Sequence, residues 1–354
     1  MRMRGIAGRT FDADDDRTFD RPKRRTRPRT KDRPDYSELP LGRVITVDRG
    51  RFRCALTDEE GDALDPLVMV TATKARQLGR KAAIVGDGVR LDGDVSGDEG
   101  TLARIVEVQE RTSVLRRTAD DDDPWERPIV ANADQLMIVT ALADPPPRVG
   151  MIDRILVAAY EAGISPILCL TKSDLASPDE LRAAYEPLDV PVVVTEPGAD
   201  LEPVRELLDE HVTVLVGHSG VGKSTLVNAL IPGIDRAVGN VNDVTGRGRH
   251  TSTSAIALQL PEGSGWVIDT PGVRSFGLSH VKPETVLAAF PDLAQWAEDC
   301  PRACQHRSTS PECGLDAAVA RGDVPASRLE SFRRMENAGR EEWEREKERD
   351  REAR

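Results

Sequence analysis

Residues 212–231 read VTVLVGHSGVGKSTLVNALI. The run VTVLV has the composition of a buried strand. KSTLVNALI carries apolar residues at helical spacing. Between them, Gly217-His218-Ser219-Gly220-Val221-Gly222-Lys223-Ser224 matches G-x-x-x-x-G-K-[ST], in the strand-then-helix context that a phosphate-binding loop requires. Glycines let backbone N–H groups curl around a phosphate without side-chain clash. The helix N-terminus adds partial positive charge. Lys223 is placed to reach the β- and γ-phosphates, and Ser224 to hold Mg²⁺.

Working outward, Asp269-Thr270-Pro271-Gly272 follows the strand-like WVIDT and reads as D-x-x-G. Asp269 can reach Mg²⁺ directly or through water, and the Gly272 N–H can sense the γ-phosphate. Upstream, Thr171-Lys172-Ser173-Asp174 follows SPILCL and resembles the guanine motif N-K-x-D. A carboxylate at Asp174 accepts from guanine N1–H and the 2-amino group. Adenine lacks that donor pair, so the nucleotide is GTP rather than ATP. The Lys172 stem packs over the base. Thr171 stands where Asn is usual, which leaves one supporting hydrogen bond open. The base motif precedes the phosphate loop, so the motifs run in circularly permuted order. Strand-like segments at 136–142, 165–170, 190–195, 212–217, 254–260 and 266–270 alternate with helical ones at 152–163, 178–188, 201–210 and 223–231. The alternation predicts an α/β fold with a parallel sheet covered by helices on both faces.

NVNDVTGRGRHTSTSA (240–255) is polar and glycine-rich, as a mobile switch segment should be. One of Thr251, Ser252 or Thr253 is expected to coordinate Mg²⁺, with Thr251 and Thr253 favoured. Val273 occupies the place of the water-positioning Gln of Ras-like proteins and cannot orient water. His250 is therefore the candidate catalytic residue. Arg247, Arg249 and Arg274 suit phosphate or RNA.

Residues 1–38 are rich in Arg, Asp and Pro, include the basic run RPKRRTRPRTKDR (21–33), and read as a disordered arm. Residues 39–118 hold five short β-rich segments, LGRVITVD, FRCALTD, LVMVTATK, DGVRLDGDV and TLARIVEVQE. Five strands suit a small barrel of OB or SH3-like type. Asp121–Pro124 reads as a linker, with the GTPase domain at 125–278. Within 279–330, Cys300, Cys304, His306 and Cys313 supply three thiolates and an imidazole, a closed structural set for one Zn²⁺. Cys54 and Cys169 lie alone in apolar runs, as buried structural thiols do. From Ser327, and through 331–354, the chain reads as a charged, solvated helix.

The formal net charge of −12 disfavours nucleic acid as a uniform partner but permits a basic face. No stretch approaches the ~20 apolar residues of a membrane span. The N-terminal arginines are not followed by an apolar run, so neither signal peptide nor membrane is expected, and the location is cytoplasmic. No heptad seam is present, which suggests a monomer.

Together, IVANADQLMIV, the TKSDL step, GHSGVGKSTLVNAL, GRGRHTST, VIDTPGVRSFGL and the Cys/His cluster resemble the circularly permuted, small-ribosomal-subunit-dependent GTPases of bacteria. The likeness covers about residues 40–330. It implies an OB-fold, then the permuted GTPase, then a small α-helical zinc-binding domain. It also implies action late in 30S maturation, binding through rRNA, and release on subunit-stimulated GTP hydrolysis to GDP. By position it places the phosphate loop on Gly217–Thr225, the guanine motif on Thr171–Asp174, the zinc ligands on Cys300, Cys304, His306 and Cys313, and the catalytic histidine on His250. Thr171, Ser252 and the spacing of the cysteines depart from the family's usual pattern. Two rival readings are a binding module in which nucleotide is structural, and a signalling GTPase with a protein partner.

Overall fold

The computed structural model describes residues 35–79, 83–118, 126–232, 255–261, 265–270, 286–287, 290–337 and 340. The basic arm up to residue 34, the linker at 121–124 and the tail from 341 lie outside these. The segment from Tyr36 onward is one compact unit.

The first part is a closed barrel of β1 (Leu41–Asp48), β2 (Arg51–Thr57), β3 (Met69–Lys74), β4 (Gly88–Gly93) and β5 (Ala103–Val108), in the order β1-β2-β3-β5-β4. The β3–β5 pairing is parallel, and β4 closes onto β1 antiparallel. That Greek-key closure is the OB arrangement and settles the choice against an SH3-like barrel. Val44, Phe52, Cys54, Val70, Val89, Leu91 and Ile105 fill its interior. A register shift between Val44 and Thr46 makes Ile45 the extra residue of a bulge. Ile45 is buried, but in the core of the second part rather than in the barrel.

Beyond the barrel, β6 (Val114–Thr118) and β7 (Glu126–Ala131) pair as a separate two-stranded sheet. The six-stranded sheet follows. Its strands are β8 (Gln135–Ala141), β9 (Ser165–Thr171), β10 (Val192–Val194), β11 (Val212–Val216), β12 (Ile256–Gln259) and β13 (Trp266–Asp269), ordered β10-β9-β8-β11-β13-β12. Helices α1 (Val149–Glu161), α2 (Asp179–Tyr185), α3 (Glu202–Leu208) and α4 (Lys223–Leu230) connect them. Two apolar clusters form the core: one holds Leu136, Ile138, Ile155 and Leu168, the other Met137, Val139, Leu215 and Leu226. Successive β8 residues thus alternate between the clusters, as in a strand buried on both faces.

The expected parallel sheet is realised only in part. The sheet is not wholly parallel, because β12 runs antiparallel to β13. The six residues 260–265 between them suffice for a hairpin but not for a crossover.

The C-terminal region holds α5 (Pro291–Ala297), α6 (Gly314–Arg321) and a helix over 326–337, termed α7. The reading of a solvated helix from Ser327 is also corrected over this stretch. Leu329, Phe332 and Met335 recur at helical spacing and are buried, as are Arg328 and Glu336. Phe332 meets Phe290 edge-to-face at 5.4 Å. The arginines of this helix are anchors: Arg328 forms a fork onto Asp292 at 2.8 Å on both arms and lies 4.7 Å over the Phe290 ring. Arg334 donates to the buried Asp153 of α1 at 2.7 Å, which also accepts from the Tyr185 hydroxyl at 3.0 Å. Among the described residues, no helix is long and apolar enough to cross a membrane.

Candidate nucleotide and metal sites

The registers Val216↔Ile138, Leu215↔Asp269 and Ala141↔Thr171 bring the carboxyl ends of β8, β9, β11 and β13 to one edge of the sheet. Open α/β sheets bind ligands at that edge. The loops of all three motifs leave from it, so the permuted order leaves their juxtaposition intact.

At the phosphate loop, Gly220 (φ +84°) and Gly222 (φ +92°) take left-handed backbone. A Cβ on Gly217 would stand 2.4 Å from the Val139 carbonyl oxygen, so only glycine allows β8 and the loop to approach. Lys223 opens α4 and is buried. Its ammonium donates to the Asp269 carboxylate and, at 2.7 Å, to the Thr270 carbonyl. The Thr270 hydroxyl donates to Leu215 O at 2.7 Å, tying the end of β13 to the strand beneath the loop. Ser224 and Thr225 are exposed in the first turn of α4. His218 is half-buried, with its Nδ1 2.9 Å from the Ser219 carbonyl.

At the base motif, the buried Thr171 hydroxyl is 2.6 Å from Val221 O and 3.3 Å from Thr140 O. A hydroxyl has one proton, and the shorter contact takes it. The hydrogen bond left open by the Asn-to-Thr departure is therefore made, and it links the base motif directly to the phosphate loop. Lys172 sits at φ +60° and its ammonium donates to the Asp144 carbonyl. Ser173 donates from its N–H to Thr195 O at 3.3 Å and from its hydroxyl to Glu196 at 3.0 Å. Asp174 is exposed at the rim. The loop after β10, with Thr195 and Glu196, thus abuts the base motif. Sequence reading gave it no role, because its residues match no phosphate or base motif and only sheet order places it there. His250, Thr251, Ser252, Thr253, Gly272, Val273, Arg247, Arg249 and Arg274 lie outside the described residues.

The metal candidates do converge. The ligand atoms of Cys300, Cys304, His306 and Cys313 all lie within 4.8 Å of one another. A tetrahedral ion with metal–sulfur bonds of about 2.3 Å requires ligand–ligand edges of about 3.8 Å. The observed contacts are 3.9 Å for Cys300–Cys313, 3.4 Å for Cys300–His306 Nδ1 and 3.8 Å for Cys313–His306 Nδ1. Gly314 N–H donates to Cys300 Sγ at 3.1 Å and His306 N–H to Cys304 Sγ at 3.4 Å, which stabilises thiolate. Without a metal, burial pushes the Cys300 thiol up to about 11. At Cys304 burial also raises the pKa, but the His306 N–H and neighbouring hydrogen bonds outweigh it and hold the thiol below its ordinary value. Burial, with Arg333 and Arg340 nearby, lowers the pKa of His306 and favours the neutral imidazole that a metal needs. The donor set and its spacing fit one metal ion. Cys54 and Cys169 are fully buried elsewhere, and burial pushes both thiols up to about 12, so they are inert.

Residues 108–279 match the model of the family described as RsgA GTPase. A protein of Ectopseudomonas mendocina named small ribosomal subunit biogenesis GTPase RsgA is 42% identical over 263 residues, spanning 72% of this chain and 74% of its own. A protein of the same name from Chromohalobacter salexigens is 36% identical over 314 residues, spanning 86% and 87%. The crystal structure of YloQ, described as a circularly permuted GTPase, shares the fold with a TM-score of 0.61 at 23% identity, over 88% of this chain and 98% of that one. On this evidence the chain belongs to the RsgA family and is a GTPase with a circularly permuted nucleotide-binding domain.

Proposed function

We propose that this GTPase serves the late maturation of the small ribosomal subunit. It binds the 30S particle through rRNA and leaves when the subunit stimulates GTP hydrolysis. The names of its relatives support the assignment to small-subunit assembly. The observation that carries the site is the meeting of three motifs at one sheet edge, tied by Lys223–Asp269 and Thr171–Val221.

In this reading Gly217–Thr225 cradle the phosphates through backbone N–H groups, and Lys223 exchanges its carboxylate partner for phosphate oxygen. Ser224, Asp269 and Thr251 or Thr253 would hold Mg²⁺, which would supply positive charge beside the phosphates. Thr171, Lys172, Ser173 and Asp174 select guanine. Gly272 senses the γ-phosphate, and His250 orients the attacking water. Cys300, Cys304, His306 and Cys313 hold one structural Zn²⁺ that shapes the segment between α5 and α6. We take 39–118 as the OB domain, 125–278 as the GTPase and 279–330 as the zinc domain. The protein acts as a cytoplasmic monomer. The chain passes from Asp269–Gly272 into the zinc region, so γ-phosphate contacts have a direct covalent route to it.

The test is GTP turnover by the purified protein alone and with 30S subunits, 50S subunits or free RNA. Stimulation by 30S alone is expected. Tight GTP binding with no 30S response would refute the assembly role and favour a signalling GTPase.

A further inference from the structure

The hairpin β12–β13 joins two parts of the molecule that motif reading keeps separate. Its pairs run from Ile256↔Asp269 at one end to Gln259↔Trp266 at the other. The open end therefore carries both Asp269, bonded to Lys223, and the entry at Ala255 from the polar switch-like sequence. The turn end lies at the barrel. There the Arg43 guanidinium of β1 stands 5.2 Å over the Trp266 ring, and Trp266 is 3% exposed. Ile45, expelled from the barrel interior by its bulge, shares one apolar cluster with Trp266, and Ile256 packs against that cluster.

The character of this seat matters. Arg43 is fixed on the barrel side by donating to Gly61 O at 3.2 Å. Toward the sheet it stacks on Trp266 and feels the carboxylate of Asp134, the residue before β8. Arg43 Nε and Trp266 Nε1 are both buried, and neither has a hydrogen-bond partner among the described residues. A cation–π contact is attractive over a ring placed within about 6 Å, so a displacement of the ring changes the pull on the guanidinium and on the strand that bears it. Trp266 and Asp269 are three residues apart on one strand, about 10 Å at 3.3 Å per residue. On the Asp269 side the strand is held to the site by hydrogen bonds from Thr270 to Leu215 O and from Lys223.

We propose that Arg43 couples the barrel to the nucleotide state: through Trp266 it reads the position of the hairpin whose far end carries Asp269. Coupling of this kind is reciprocal, so nucleotide must also change the barrel strand that bears Arg43. No occupant of the barrel is needed to see it.

The inference rests on Asp269 belonging to the nucleotide site. The experiment is hydrogen exchange of the full chain with GDP and with a non-hydrolysable GTP analogue, in wild type, Arg43→Met and Arg43→Lys. In wild type and Arg43→Lys, exchange across 41–48 should differ between the two nucleotides on the order of fivefold. In Arg43→Met that difference should vanish while intrinsic GTP turnover is retained. A wild-type β1 that ignores the nucleotide, or an Arg43→Met that keeps the difference, overturns the proposal. Should Arg43→Met loosen the barrel in both states, Trp266→Leu decides, because it removes the aromatic face and leaves every barrel residue in place: loss of the difference supports the coupling and its retention overturns it. Failure of the analogue to protect 217–225 would instead strike at the nucleotide-site reading itself.

Discussion

Replacing Thr171 by Val removes one hydroxyl and keeps the shape of the side chain. The structure gives that hydroxyl a single strong task, the 2.6 Å bond to the carbonyl of Val221, a residue 3% exposed. Valine leaves this acceptor without its donor in a site that water does not reach. An orphaned buried acceptor costs about 1–3 kcal/mol. At about 1.4 kcal/mol per tenfold, the upper limit of the effect is about 150-fold in an equilibrium. Nucleotide affinity should take only part of this, because the phosphate loop also rests on Val139 and the sheet. We expect GDP and GTP to bind about tenfold more weakly, with dissociation faster rather than association slower. Stopped-flow binding of a fluorescent guanine nucleotide measures both rates. Thr171→Ser should restore affinity because it restores the donor, and Thr171→Asn should do so through its amide N–H. The reasoning is refuted if Thr171→Val folds normally and binds GDP within about twofold of wild type, since a bond worth about 1 kcal/mol should exceed that.

Three further outcomes follow from the geometry. On the proposed guanine role of Asp174, Asp174→Asn would exchange an acceptor for a donor opposite N1–H, so GTP affinity should fall by about 100-fold or more while xanthosine triphosphate gains, as competition binding would show. Arg334→Met strips the guanidinium from Asp153, which is 1% exposed, but Arg334 itself is 34% exposed. A loss of about 2–3 kcal/mol is expected in urea unfolding, below the ~3–5 kcal/mol of a fully buried pair. Burial already raises the Asp153 pKa against the pull of Arg334. A carboxyl with its folded pKa above its unfolded one stabilises the fold at low pH and loses that contribution as pH rises through the folded value. The variant raises this pKa further, so its deficit should grow as pH rises through the wild-type folded value, which lies above the ordinary carboxylate range; a deficit independent of pH would contradict the assignment. On the proposed zinc reading, chelation or Cys304→Ser should remove one equivalent of zinc by elemental analysis and raise hydrogen exchange across 300–314 before it affects the barrel, because the ion would tie four points of that loop together.

Much of this protein was legible in its sequence. The phosphate loop, the base motif and D-x-x-G are local patterns whose chemistry depends on backbone shape over a few residues, and Gly220 and Gly222 have the left-handed backbone that such a loop needs. Alternating helical and strand periodicities located every strand of the large sheet, and the order of motifs declared the permutation. The Cys/His set was visible because metal ligands are few in kind and close in sequence. Tertiary structure alone decided the rest. The direction of β12 depended on how little chain separates it from β13. The helix over 326–337 looked solvated because arginine advertises charge, not burial, and its partner Asp153 lies 181 residues from Arg334. The bond from Thr171 to Val221 spans 50 residues, and the seat of Trp266 under Arg43 joins strands of different sheets. Periodicity tells which face of an element is apolar; only the packed sheet determines which distant side chain that face will meet.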